Sequence, residues 1–173
     1  MQSRAVGLNR TQLTQLNDLL AGTYRHETSG PYEPEGRLVP AYAFDLEAIL
    51  HEFSHLAVFN AQPHGNEHQL PEMVSTLFNA YASPLASDRA ECRALAVQLL
   101  VVKRLGLRIH VRRLCRDAAM EMRSDTFYQD APQVIRAVRH YRALPLAQQR
   151  AERVLSWLQP LIDQVSYRGK KND

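Results

Sequence analysis

A single, mainly helical α+β domain is the fold class that three observations predict. Apolar residues recur at intervals of three and four in several long stretches, the periodicity of helices that bury one face. Two short segments, Arg37–Tyr42 and Arg108–Arg112, instead have the extended or alternating pattern of strands, although the second fits a helix nearly as well. The length of 173 residues suits one domain able to bury a proper core. That domain is expected to span 1–173, with 1–9 and 167–173 as flexible termini.

Composition narrows the function classes. The hydrophobic fraction of 45% and charged fraction of 23% are ordinary for a globular protein. No apolar run approaches the length needed to cross a bilayer, so no membrane association is expected. Met1–Leu8 lacks the apolar region of a secretory signal, which predicts a cytoplasmic protein. Cys92 and Cys115 form neither a disulfide framework nor a paired metal-thiolate motif and read as reduced, buried small residues. The net charge of +3 and pI near 9.0 come mainly from arginines after residue 88. The asymmetry favours an acidic protein partner; with no nucleic-acid-binding signature beside it, nucleic acid is not expected as a ligand. The chain is expected to act as a monomer.

Taken in order, Leu13, Leu16, Leu19 and Leu20 mark a first helix over 10–22, with Thr11 as its N-cap and Gly22 as its stop. Gly30-Pro31, Glu33-Pro34 and Gly36 make 23–37 a loop, and Arg37–Tyr42 leads out of it as a strand. Leu46–Val58 is the helix around which the chain is organised, because it carries His-Glu-x-x-His in an apolar run. At positions i and i+4, His51 and His55 lie on one helical face and can close on a single metal ion. Glu52 points about 100° away from His51, placed to hold a water, orient a ligand or act as general acid/base. Ala48, Ile49, Leu50, Phe53, Leu56 and Val58 imply burial. Burying two imidazoles and a carboxylate uncompensated costs several kcal/mol, which a metal or a dense polar network removes.

The polar segment Asn60–Gln69 reads as a loop in which His64 or His68 offers a further ligand. Val58 and Ala61 stand where a metzincin would have glycine and histidine, which excludes that class. A second helix starts at Ser87 as N-cap and shows Ala94, Leu95, Leu99 and Val102 as its apolar face. One turn into it stands Glu91. A carboxylate there completes a two-histidine, one-carboxylate set with open coordination positions, or else only favours the helix N-terminus through the dipole, as Asp88 does. Leu105-Gly106-Leu107 ends the helix, and Arg112, Arg113 and Arg116 cluster near His110 as a basic face or a dock for an acidic substrate. Asp130 and Pro132 open a helix over 131–143 that buries Val134, Ile135, Val138 and Tyr141. The last helix carries Val154, Leu155, Trp157 and Leu158, with Trp157 in the core and Pro160 ending or kinking it.

Two families are similar to this pattern. Glu91–Leu100 resembles the helix that supplies the third zinc ligand in small gluzincin-type metallopeptidases. The nearer resemblance is to the elongation factor P hydroxylases. It covers Ala43-Phe44, Ala48–His55, the spacing from His55 to Glu91, the break at Leu105-Gly106, and Ala131–Pro145. Where that family has an aromatic, glycine-rich segment, this chain has Glu72–Pro84, with Phe78 and Tyr81 as its aromatic residues. The resemblance implies a metallopeptidase-like (zincin-like) helix pair carrying an oxygen-dependent site that hydroxylates a modified lysine on translation elongation factor P. It implies Fe(II) as cofactor, held by His51, His55 and Glu91, with molecular oxygen as cosubstrate and Glu52 tuning or orienting. A zinc peptidase would bind Zn(II) with the same trio and use Glu52 as its catalytic base.

Overall fold

The computed structural model describes residues 7–23, 41–63, 74, 77, 83–107, 110–122 and 130–169. Six helices run through them: α1 (Arg10–Thr23), α2 (Ala41–Val58), α3 (Pro84–Leu105), α4 (Val111–Glu121), α5 (Ala131–Ala143) and α6 (Pro145–Gly169). Val74 and Leu77 are also helical. The mainly helical expectation holds, and the β part of it is corrected: among the described residues there is no strand. Ala41 and Tyr42 open α2, and Val111 and Arg112 open α4, while 37–40 and 108–109 lie outside the described residues. A lone extended segment leaves its backbone donors and acceptors without a neighbour, whereas a helix satisfies them within itself.

The helix boundaries follow from local chemistry. Asn9 and Gln12 cap α1 reciprocally, each backbone N–H donating to the other's side-chain oxygen at 2.9 Å, so the cap is Asn9 and not Thr11. Helix α1 also continues past Gly22 to Thr23. The N-cap of α3 lies four residues before Ser87: the Ser83 hydroxyl accepts the Ala86 N–H at 3.3 Å, and Pro84 takes the first helical position, where its missing N–H costs nothing. Gly106 closes α3 at φ 77, a left-handed conformation that favours glycine, and the Leu107 N–H reaches back to the Val102 carbonyl at 3.0 Å. Asp130 caps α5 as the sequence predicts, accepting the Gln133 N–H at 2.8 Å. Leu144, extended ahead of Pro145, separates α5 from α6.

Helix α6 passes through Pro160 and reaches Gly169, beyond the point at which a flexible tail is expected. Pro160 is exposed, as is Ser156, whose carbonyl loses its helical donor, so the gap in the hydrogen-bond ladder faces the outside of the molecule. The inward stripe of α6 is Ala147, Ala151, Val154, Leu158, Ile162 and Val165.

Two cores share α3. The larger gathers Leu16 and Leu20 of α1, Leu50, Phe53 and Leu56 of α2, Val97, Val101 and Leu105 of α3, and Val154 and Leu158 of α6. The smaller joins Cys92, Leu95 and Leu99 of α3 to Cys115 of α4 and Val134 and Val138 of α5. Both cysteines are free thiols, fully buried as predicted. Trp157 packs edge-on to Phe53 with ring centroids 5.9 Å apart, which bears out its place in the core. At the C-terminus of α2, Asn60 turns left-handed, and Arg153 and Arg150 of α6 donate to the Asn60 side chain and the Val58 carbonyl. The motif helix is thereby fixed along one face and at one end.

Candidate metal centre

Helix α2 presents His51 and His55 to α3, and Glu91 reaches them from the opposite side. The Nε2 atoms of the two histidines are 3.0 Å apart, Glu91 Oε1 lies 3.1 Å from His51 Nε2, and Glu91 Oε2 lies 2.9 Å from His55 Nε2. The three residues form a group able to hold a metal ion. Protons shared along these edges, or a cation bonded to all three atoms, would suit such separations. The His55 side chain is only 2% exposed, against 24% for His51 and 19% for Glu91, so the centre opens on the side of the latter two. His64 and His68 lie outside the described residues.

The proton state of the trio reflects its packing. Burial by itself drives the His51 imidazole toward neutrality; Glu91 outweighs it, helped by Glu52 and Gln98, and the His51 pKa is pushed up to about 10. Burial likewise opposes the Glu91 carboxylate, and the two histidines override it, holding Glu91 well below the usual carboxylate range. Burial, with Glu91 next, pushes the Cys92 thiol up to about 12, which keeps this neighbour of Glu91 from acting as a thiolate ligand.

A pH dependence follows for metal-free protein. The raised His51 pKa contributes stability that is complete below its ordinary value of 6.5 and is lost as pH rises toward about 10. The lowered Glu91 pKa contributes stability present above its ordinary value of 4.5 and lost as pH falls. The melting temperature of chelator-treated protein is therefore expected to drop between pH 6.5 and pH 9.5, and to drop less in Glu91→Gln. Metal affinity should move the other way, rising with pH as protons cease to compete for the ligands. Equal melting temperatures across that range would contradict the assignment.

Behind the trio stands a residue the sequence reading passed over. Gln98 of α3 is fully buried; its Nε2 donates to the Glu47 carbonyl at 2.9 Å, and its Oε1 lies 3.1 Å from His51 Nδ1. With the amide nitrogen committed to a carbonyl, Oε1 must accept, so His51 keeps a proton on Nδ1, and Nε2 is the nitrogen that would give up its proton and offer a lone pair to a bound cation. The signal was legible: Gln98 interrupts the apolar run Ala94–Val102 and stands seven residues after Glu91, on the same helical face. Gln98→Leu is expected to weaken metal binding about 10- to 100-fold while the protein stays folded, measured by competition with a metal-binding dye. Unchanged affinity would remove Gln98 from the centre.

Glu47 is itself held by Arg113, whose Nη2 donates to both carboxylate oxygens at 3.0 and 3.1 Å. The arginine cluster expected near His110 therefore divides. Arg113 turns inward to α2, while Arg112 and Arg116 are exposed. A cleft of about 260 Å³ opens beside His51 and Glu91, lined by Glu47, Glu52 and Asp117 and walled by Leu95, Leu114 and Ala118. Glu52 Oε2 is buried there without a hydrogen-bond partner among the described residues. Such an atom favours a cation or a donor from outside. Phe78 and Tyr81 lie outside the described residues, so the segment that differs from the hydroxylase pattern does not enter this description. Among the described residues no helix is long and apolar enough to cross a membrane. No family model, curated protein or solved structure matches the chain.

Proposed function

We propose that the protein is an oxygen-dependent hydroxylase that uses Fe(II) at His51, His55 and Glu91 and acts on a modified lysine of translation elongation factor P. The observation that carries this reading is a two-histidine, one-carboxylate set opening on a cleft whose lining charges are acidic. The donor set suits Fe(II), which supplies the redox chemistry of oxygen activation while leaving positions open. The acidic lining suits a cationic side chain: Arg113 neutralises Glu47, Glu52 remains to receive an ammonium group, and Asp117 is held only by a long, exposed contact to Arg116 at 3.9 Å. Leu95, Leu114 and Ala118 exclude water along the aliphatic stem of such a substrate. With a metal bound, Gln98 would hold the His51 ring by Nδ1 and so keep Nε2 directed at the centre.

The unpartnered Glu52 carboxylate also favours a second reading, a zinc metallopeptidase of the gluzincin kind in which Glu52 takes a proton from the attacking water. The two readings part on one experiment. Elongation factor P bearing the modified lysine is incubated with the protein, Fe(II), air and ascorbate as the two-electron reductant, and its intact mass is followed. A gain of one oxygen atom, absent with Glu91→Ala, is the expected result. Cleaved target with Zn(II), abolished in Glu52→Gln, would establish the peptidase instead.

A further inference from the structure

The smaller core has a cavity of its own, which shares no lining residue with the metal cleft. It measures about 290 Å³ and lies among α3, α4 and α5. Its floor is apolar: Leu99, Cys115 and Val138 are buried, and Ile135 is partly so. Its rim carries Arg112 of α4 and Arg139 and Arg142 of α5, all exposed. No carboxylate lines it. Among the described residues none of these three guanidinium groups forms an ion pair.

This arrangement favours an anion. Three like charges gathered round one low-dielectric hollow repel one another and focus a positive field into it. The helix dipole accounts for Arg142, in the last turn of α5, but not for Arg112, which sits in the first turn of α4, where a cation is disfavoured. Arg139 also acts on Cys115 at the floor: burial raises that thiol's pKa and Arg139 opposes the rise.

We propose that this cavity binds a small organic phosphate monoester, with its apolar body on the Leu99–Val138 floor and its dianionic head among the three guanidinium groups. Guanidinium forks match the oxygens of a phosphate, and the threefold positive charge exceeds what a single carboxylate would balance. The volume is near the lower end for ligand pockets, on the order of 300 Å³, and admits a body about the size of one ring.

The test uses the full chain and phenyl phosphate as probe, with inorganic phosphate and phenol titrated separately by calorimetry. Phenyl phosphate should bind at least tenfold more tightly than inorganic phosphate, and phenol should show no saturable binding. Arg139→Ala with Arg142→Ala should weaken phenyl phosphate tenfold or more, and Arg112→Ala, on a different helix, should weaken it too. Arg136→Ala removes the same charge from an exposed position of α5 outside the cavity and should change binding by less than twofold. Glu91→Ala, which disables the metal centre, should leave it intact. The proposal is overturned if the Arg139/Arg142 pair can be removed without loss, if Arg136→Ala loses as much, or if binding vanishes with Glu91→Ala.

Discussion

Glu91→Ala is expected to lower metal affinity by at least a hundredfold, about 3 kcal/mol, leaving purified protein with well under one equivalent of metal. The carboxylate contributes one of three donors and the negative charge that offsets a dication buried against α2 and α3. Without it, the two imidazoles face each other across 3.0 Å with nothing between them to bind a cation firmly. Protein metal content by mass spectrometry, beside circular dichroism as a check on folding, reads the result. His55→Ala should match it, since His55 is the most enclosed of the three. Glu52→Gln should keep the metal, because Glu52 is outside the trio. Retention of a full equivalent in Glu91→Ala would sink the assignment of the centre.

The second large effect concerns stability. Phe53→Ala should cost about 3–5 kcal/mol in chemical denaturation, the range for deleting a fully buried aromatic side chain. Phe53 is 1% exposed and meets Trp157 edge-on, so its loss leaves a hole between α2 and α6 and removes an aromatic pair. Phe53 is two residues from each histidine of the candidate centre, yet it belongs to the larger core. Metal affinity in native buffer should consequently change only a few-fold. A loss below about 1 kcal/mol would mean that the α2–α6 seam relaxes to fill the space.

What could be read from the chain, and what could not, divides by sequence distance. The placing of His51 and His55 on one face was legible because helical geometry alone joins positions four apart. The Asp130 cap and the Gly106 stop were legible for the same reason, each being settled within three or four residues. Ser87 and Thr11 have the residue type of a cap and nothing more. The true starts were set slightly upstream, by Pro84 after Ser83 and by the reciprocal Asn9–Gln12 pair. The alternation in 108–112 fits a strand and one turn of helix equally well over so few residues; the helical ladder of α4 and its packing on α5 decide it at Val111 and Arg112. Glu91 came into reach through the family resemblance and its helix. The Gln98–His51 and Arg113–Glu47 contacts join residues 47 and 66 positions apart, and no local periodicity reports such pairs. The basic face read at Arg112–Arg116 mixed an inward ion pair with outward charge, a distinction only the packing of α4 makes.

Because α3 belongs to both cores, the molecule separates what positions the candidate metal ligands from what shapes the cleft beside them. The seat of His51 and His55 depends on the α1–α2–α6 side, while Leu114, Asp117 and Ala118, which shape the cleft, ride on α4 and depend on the other. Substitutions that repack α4 against α5 can thus alter which side chains the cleft admits while the donor atoms keep their places. A descendant of this chain is free to reshape the cleft without first disturbing the histidine–carboxylate trio, and the variation that marks such divergence should gather on α4 and α5, leaving α2 comparatively still.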